Sequence, residues 1–177
     1  MISSAVMRTE CLIVAFAVAG AACPACASEF GAIDTARRYS AALMSNDCDA
    51  MYGLISPRLI VRDSRPNETR DMICQVTKQL REEGVVETLD APRASLSDGP
   101  RKLVIIPAHR EFGRVPDRRV TDLDYLVHSS DRGRTWRVLD LSCVDARWVR
   151  EIYPAYSGEP PIGPANVRML EPWKHDR

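Results

Sequence analysis

At Gly84 the spacing of apolar residues changes from that of a helix to that of a strand. The long helical pattern lies before this point, and the strand patterns that follow are separated by turns rather than by helices. Such a chain has no material for the crossover helices of a parallel sheet. It is expected to fold as α+β, with N-terminal helices packed on an antiparallel sheet and a short helix near the C-terminus.

Before Gly84 three helices are expected. Ile33, Ala36, Tyr39 and Leu43 recur at helical spacing and predict a first helix over 33–44. Asp47 or Asp49 caps a second, short helix carrying Met51, Leu54 and Ile55, which Pro57 stops. LIV at 59–61 reads as a short strand. The third helix starts near Pro66, which suits a first turn, and ends at Gly84, with a buried stripe of Met72 or Ile73, Val76 and Leu80.

After Gly84 the strands follow in close order. VVETL at 85–89 begins the set, and Ser97-Asp98-Gly99-Pro100 marks a turn. KLVIIPAHREF at 102–112 is the most apolar strand, with Pro107 pointing to a bulge or an edge. After a turn at 115–117, VTDLDYLVH at 120–128 and TWRVLDL at 135–141 form a pair, and 144–152 presents Val144, Trp148 and Ile152 as a final helix. Pro154, Pro160, Pro161, Pro164 and Pro172 then predict an extended tail over 154–177.

The N-terminus reads as an export signal. LIVAFAVAGAA at 12–22 is uncharged and too short to span a bilayer comfortably. Arg8 precedes it, and the small residues of ACA at 25–27 predict cleavage between Ala27 and Ser28. Either Met1 or Met7 can be the start. The reading divides the chain into a signal peptide (1–27), one domain (28–153) and the tail, and places the protein in the periplasm or outside the cell. An envelope lipoprotein acylated at Cys23 is the alternative. No transmembrane segment is expected in the mature chain.

Export changes the meaning of the cysteines. Cys23-Pro24-Ala25-Cys26 falls within the removed segment and is no redox motif. Cys48, Cys74 and Cys143 remain, and in an oxidising compartment one pair can close. Cys48 with Cys74, on two neighbouring predicted helices, is the favoured pair, although spacing alone does not decide connectivity.

SSDRGRTW at 129–136 resembles the Asp-box repeated in sialidase-type propellers. A propeller needs several copies at regular spacing, and this chain holds one. Lying between two strand patterns, it is a hairpin turn that starts at Ser129: Asp131 accepts from turn amides, Gly133 supplies a positive φ, and Trp136 covers one face of the sheet.

YLVHSSDRGRTWRVLDL followed by VDARWVREIYPAY looks like the closing hairpin and helix of small exported bacterial members of the nuclear transport factor 2-like superfamily. DAMYGLISPRLI resembles their second helix and first strand, and the similarity spans roughly residues 32–152. It implies a cystatin-like α+β cone whose curved sheet and helices enclose a pocket. Resemblance to the enzymatic members asks for an inward-facing histidine and carboxylate, for which His109 and Asp124 are the best pair, as base and orienting group. It also implies a homodimer through the open sheet face. The competing reading puts His109 in HRE, a polar exit facing solvent, with Asp122 and Asp124 alternating with Leu123 and Tyr125 on an exposed face.

The remaining observations exclude more than they assign. Twenty-four basic and 24 acidic residues balance, and no basic stripe tracks a phosphate backbone, so no nucleic-acid partner is expected. The three histidines lack ligand spacing, no glycine-rich phosphate loop exists, and neither a metal nor a cofactor is implied. The preferred function is a non-catalytic envelope protein that binds a small ligand or a protein partner. A small-pocket lyase, isomerase or hydrolase using His109 and Asp124 is the alternative.

Overall fold

The structure is a computed structural model describing residues 24–57, 66–113, 118–140, 150, 153, 154, 156 and 166–169. The predicted leader before residue 24, the LIV strand, Cys143, His175 and all but one residue of the expected C-terminal helix lie outside these residues. The described elements are helices α1 (Pro24–Ser45), α2 (Cys48–Leu54) and α3 (Pro66–Glu82), then strands β1 (Val86–Leu89), β2 (Ala94–Asp98), β3 (Arg101–Phe112), β4 (Arg119–Ser129), β5 (Arg137–Asp140) and β6 (Asn166–Met169). The class is α+β.

The helices follow their local chemistry. Asp47 caps α2, its Oδ1 accepting from the Ala50 amide at 3.0 Å. Cys48 of α2 and Cys74 of α3 are joined in a disulfide with Cα atoms 4.9 Å apart. The Arg70–Asp49 ion pair ties the same two helices. α1 begins at Pro24, well ahead of the expected Ile33, so the predicted cleavage bond Ala27–Ser28 falls within its first turns. The inward stripe of α3 differs from the expected one: Ile73 and Thr77 are buried, Leu80 packs partly, while Met72 and Val76 are exposed. Thr77 is compatible with burial because its hydroxyl donates to the Cys74 carbonyl at 3.1 Å.

The sheet is two long strands flanked by pairs of short ones. β3 and β4 pair antiparallel from Lys102–Ser129 to Phe112–Arg119. On the outer edge of β3 lie β2, against residues 101–105, and β1, against 108–111. On the far edge of β4 lie β5, against 125–128, and β6, against 119–122. The strand β2 was not expected, because its Ser95 and Ser97 weaken the apolar alternation. β6 lies in the segment expected to be a free tail. β5 and β6 share one edge of β4, β5 along its C-terminal half and Asn166–Met169 along its N-terminal half.

Pro107 sits in this central strand without breaking a ladder. β1 ends opposite Ala108 and β2 begins opposite Ile105, so residues 90–93 bulge past Ile106 and Pro107. The missing N–H of Pro107 faces that bulge, where its carbonyl accepts from the Asp90 amide at 3.0 Å.

Both sheet faces are covered. On the inner face Ala32, Ala36, Tyr39 and Leu43 of α1 pack on Val104, Ile106, Leu123, Tyr125, Val127 and Val138. On the outer face Leu103, Ile105, Leu126 and Leu139 are buried beneath Tyr153 and Tyr156. Part of the outer face, the one the resemblance assigns to a dimer, is thus packed against residues of the same chain.

Candidate functional site

Strand alternation sends His109 and Asp124 to the outer face, away from the helices, and register keeps them apart. Asp124 lies opposite Pro107, and His109 lies opposite Asp122. The buried Asp124 carboxylate accepts from Arg93 Nη2 at 2.6 Å. His109 Nδ1 is 2.6 Å from Asp122 Oδ1, and its Nε2 is 3.0 Å from Asp90 Oδ2. The predicted pair does not form: Asp124 is bound by Arg93, and His109 by Asp122 and Asp90. Hydrogen bonding to Asp122, then to Asp90, raises the imidazole above its ordinary pKa although its side chain is 44% exposed. A general base needs one free ring nitrogen, and here both are committed to carboxylates.

The inner face carries a constellation that motif reading missed. Glu87 of β1, Arg110 of β3, Tyr125 of β4 and Asp140 of β5 meet beneath the helices, all buried. Arg110 donates from Nε to Glu87 at 2.8 Å, and from Nη2 to Tyr125 Oη at 2.9 Å and to Asp140 at 2.8 Å. The Tyr125 hydroxyl in turn lies 2.7 and 2.8 Å from the two Glu87 oxygens and donates to that carboxylate. Tyr39 of α1 closes over the cluster, its ring edge-on to Tyr125 with centroids 5.2 Å apart.

Each charge in this cluster is set by its neighbours. Burial alone would lower the Arg110 pKa, but Asp140, Tyr125 and Glu87 outweigh it and hold the guanidinium firmly charged. Burial pushes the Tyr125 phenol well up, and the Asp140 and Glu87 carboxylates push the same way, so it stays a neutral donor. The arrangement fixes four strands in one register, with its donors and acceptors turned towards one another.

The sequence carried a signal for it. In VVETL, period two puts Val85, Glu87 and Leu89 on one face, and Val85 and Glu87 are indeed buried. Arg110 shares a face with Ile106 and Ala108. A carboxylate and a guanidinium at inward positions of neighbouring strands must pair.

The hairpin at 129–136 has the roles expected of it. Asp131 Oδ1 accepts from Ser129 Oγ at 2.7 Å, the Arg134 amide at 3.1 Å and the Thr135 amide at 2.9 Å. The Thr135 amide foremost, then its hydroxyl, holds the Asp131 carboxyl well below the usual range. Ser129 Oγ accepts from the Gly133 amide at 2.8 Å, with Gly133 at φ 87°. Trp136 then turns onto α1, its Nε1 donating to the Gly133 carbonyl at 3.0 Å. Its ring lies so close to Gly31 that a Cβ there would sit 2.7 Å from Nε1.

A groove of about 570 Å³ runs between α1 and α2. Arg38, Ser45, Asp47 and Asp49 rim it, and Ala41, Ala42, Ala50 and Gly53 keep it open by their small size. Among the described residues no group of histidines, cysteines and carboxylates is arranged to hold a metal, and no helix is long and apolar enough to cross a membrane. No family model, curated protein or solved structure matches the chain.

Proposed function

We propose that the protein is an exported, non-catalytic binding module, taking a small ligand or a protein partner in the groove between α1 and α2. The observation that carries this reading is the state of His109. Both of its nitrogens are engaged by carboxylates on a half-exposed outer face, so the expected base is tied to Asp122 and Asp90 rather than oriented by Asp124. The inner cluster, whose members bond one another, supplies rigidity rather than a reaction centre. Tyr153 and Tyr156 pack on the outer apolar cluster, and among the described residues the groove offers a concave surface for a partner.

Export is supported by the short apolar leader and by the Cys48–Cys74 disulfide, since such bonds persist in oxidising compartments. The order of three helices followed by an antiparallel sheet supports kinship with the nuclear transport factor 2-like superfamily. Native mass spectrometry of the protein, purified gently from the cells that make it, tests the reading. A non-covalent adduct is expected. A bare chain at every gentle condition would count against a binding role.

A further inference from the structure

The bulge at 90–93 is fastened to the sheet at two points of different chemistry. At one end Asp90 meets His109 Nε2, and the Asp90 amide donates to the Pro107 carbonyl. At the other end Arg93 meets Asp124 at 2.6 Å, and the Arg93 amide donates to the Ile105 carbonyl at 2.8 Å. The second fastening joins a guanidinium to a carboxylate and is insensitive to pH near neutrality. The first runs through an imidazole held between two carboxylates.

We propose that His109 is a pH-sensitive clasp, holding the Asp90 end of this bulge on the sheet while protonated and releasing it when neutral. Only the imidazolium has two N–H donors, one for each carboxylate. The neutral ring has one, and its bare nitrogen then faces carboxylate lone pairs. The shorter contact, to Asp122, keeps the proton on Nδ1. The contact to Asp90 is the one that fails.

Among the described residues, the charged groups around His109 come from four elements. From the bulge come Asp90 and Arg93. β4 contributes Asp122 and Asp124, the latter paired with Arg93. Along β3 the next residue on this face is Glu111, paired with Arg118. β6 places Asn166 opposite Asp122 and Arg168 opposite Val120, whereas Glu87 of β1 lies on the other face with Arg110. The raised imidazole pKa agrees with this geometry. Its sign is that of a protonated group stabilised by folding. The contribution is complete below the ordinary histidine value of about 6.5 and is lost as pH rises through the higher folded value.

Amide hydrogen exchange read by NMR, corrected for the intrinsic base-catalysed rate, tests the clasp alongside the His109 ring nitrogen shifts between about pH 5 and about pH 9. Protection of the Asp90 amide is expected to fall roughly two- to fivefold as His109 loses its proton, on the scale of a half-exposed ion pair. Protection of the Arg93 amide is expected to stay constant. His109→Gln should remove the step at Asp90. Loss of protection at both amides together, or at neither while the ring titrates, would overturn the proposal. The wild-type titration decides this even if the variant folds poorly.

Discussion

Removing the Arg110 guanidinium would leave Glu87 and Asp140 buried without their cation. Arg110→Met is therefore expected to destabilise the fold by about 3 to 5 kcal/mol, read as a fall in the urea midpoint, because a broken buried pair costs more than the intact pair contributes. A loss below about 1 kcal/mol would mean that water reaches the cluster. Gly31 is sensitive for a steric reason. Gly31→Ala puts a methyl 2.7 Å from Trp136 Nε1 and 3.1 Å from its Cδ1, so the ring must shift. The expected penalty is about 1 to 3 kcal/mol, visible in thermal melts and in Trp fluorescence. Residue-level meaning was only partly legible in the sequence. Alternation placed Asp122 and Asp124 opposite in facing to Leu123 and Tyr125, as found. It did not reveal that Asp124 is covered by Arg93, or that Asp122, a neighbour in register rather than in motif, is the partner of His109. Those facts depend on strand register, and a one-residue slip reverses them.

The disulfide is the strongest statement available about α2 and α3. It closes a separation of 26 residues, for which loop entropy predicts about 3.5 kcal/mol of stabilisation. The Cys48→Ala, Cys74→Ala double variant should lose about that much in urea unfolding, with α2 loosening first, since its remaining anchors are few: Met51, Leu54 and the Arg70–Asp49 pair among them. An unchanged midpoint would show that the packing of α2 suffices without the bond. Elements with strong periodicity or clear caps were legible: α2 from Asp47, the end of α3 from Gly84, and β3, β4 and β5 from their apolar runs. β2 was hidden because its serines face away from the sheet core and only Ala94 and Leu96 pack. β6 was hidden because its pairing with residues 119–122 depends on which part of the β4 edge β5 takes, a property of the sheet rather than of residues 166–169. The α3 stripe runs through Thr77 rather than Val76, a place that apolar spacing alone does not mark. The Thr77 hydroxyl is satisfied within the helix, so it packs as a small apolar residue.

At the scale of the molecule, the account turns on which surfaces are already used. The inner face of the sheet is closed by α1 over the Glu87–Arg110–Tyr125–Asp140 cluster, and the outer apolar face by Tyr153 and Tyr156. The concavity between α1 and α2 is the place the binding reading assigns to a partner. Gly53 offers a clean way to fill it, since a Cβ there meets nothing within 4 Å and its backbone is helical. A phenylalanine at that position has room for its Cβ on the groove wall, and leaving glycine within a helix favours the fold by roughly a few tenths of a kcal/mol, since phenylalanine is a weaker helix former than alanine. The most direct measurement is native mass spectrometry of the wild type and Gly53→Phe, both purified gently from the producing cells. The account predicts an adduct on the wild type and its loss in a variant whose melting temperature is unchanged or higher. An adduct retained undiminished on Gly53→Phe, or a wild type that carries none, would contradict it.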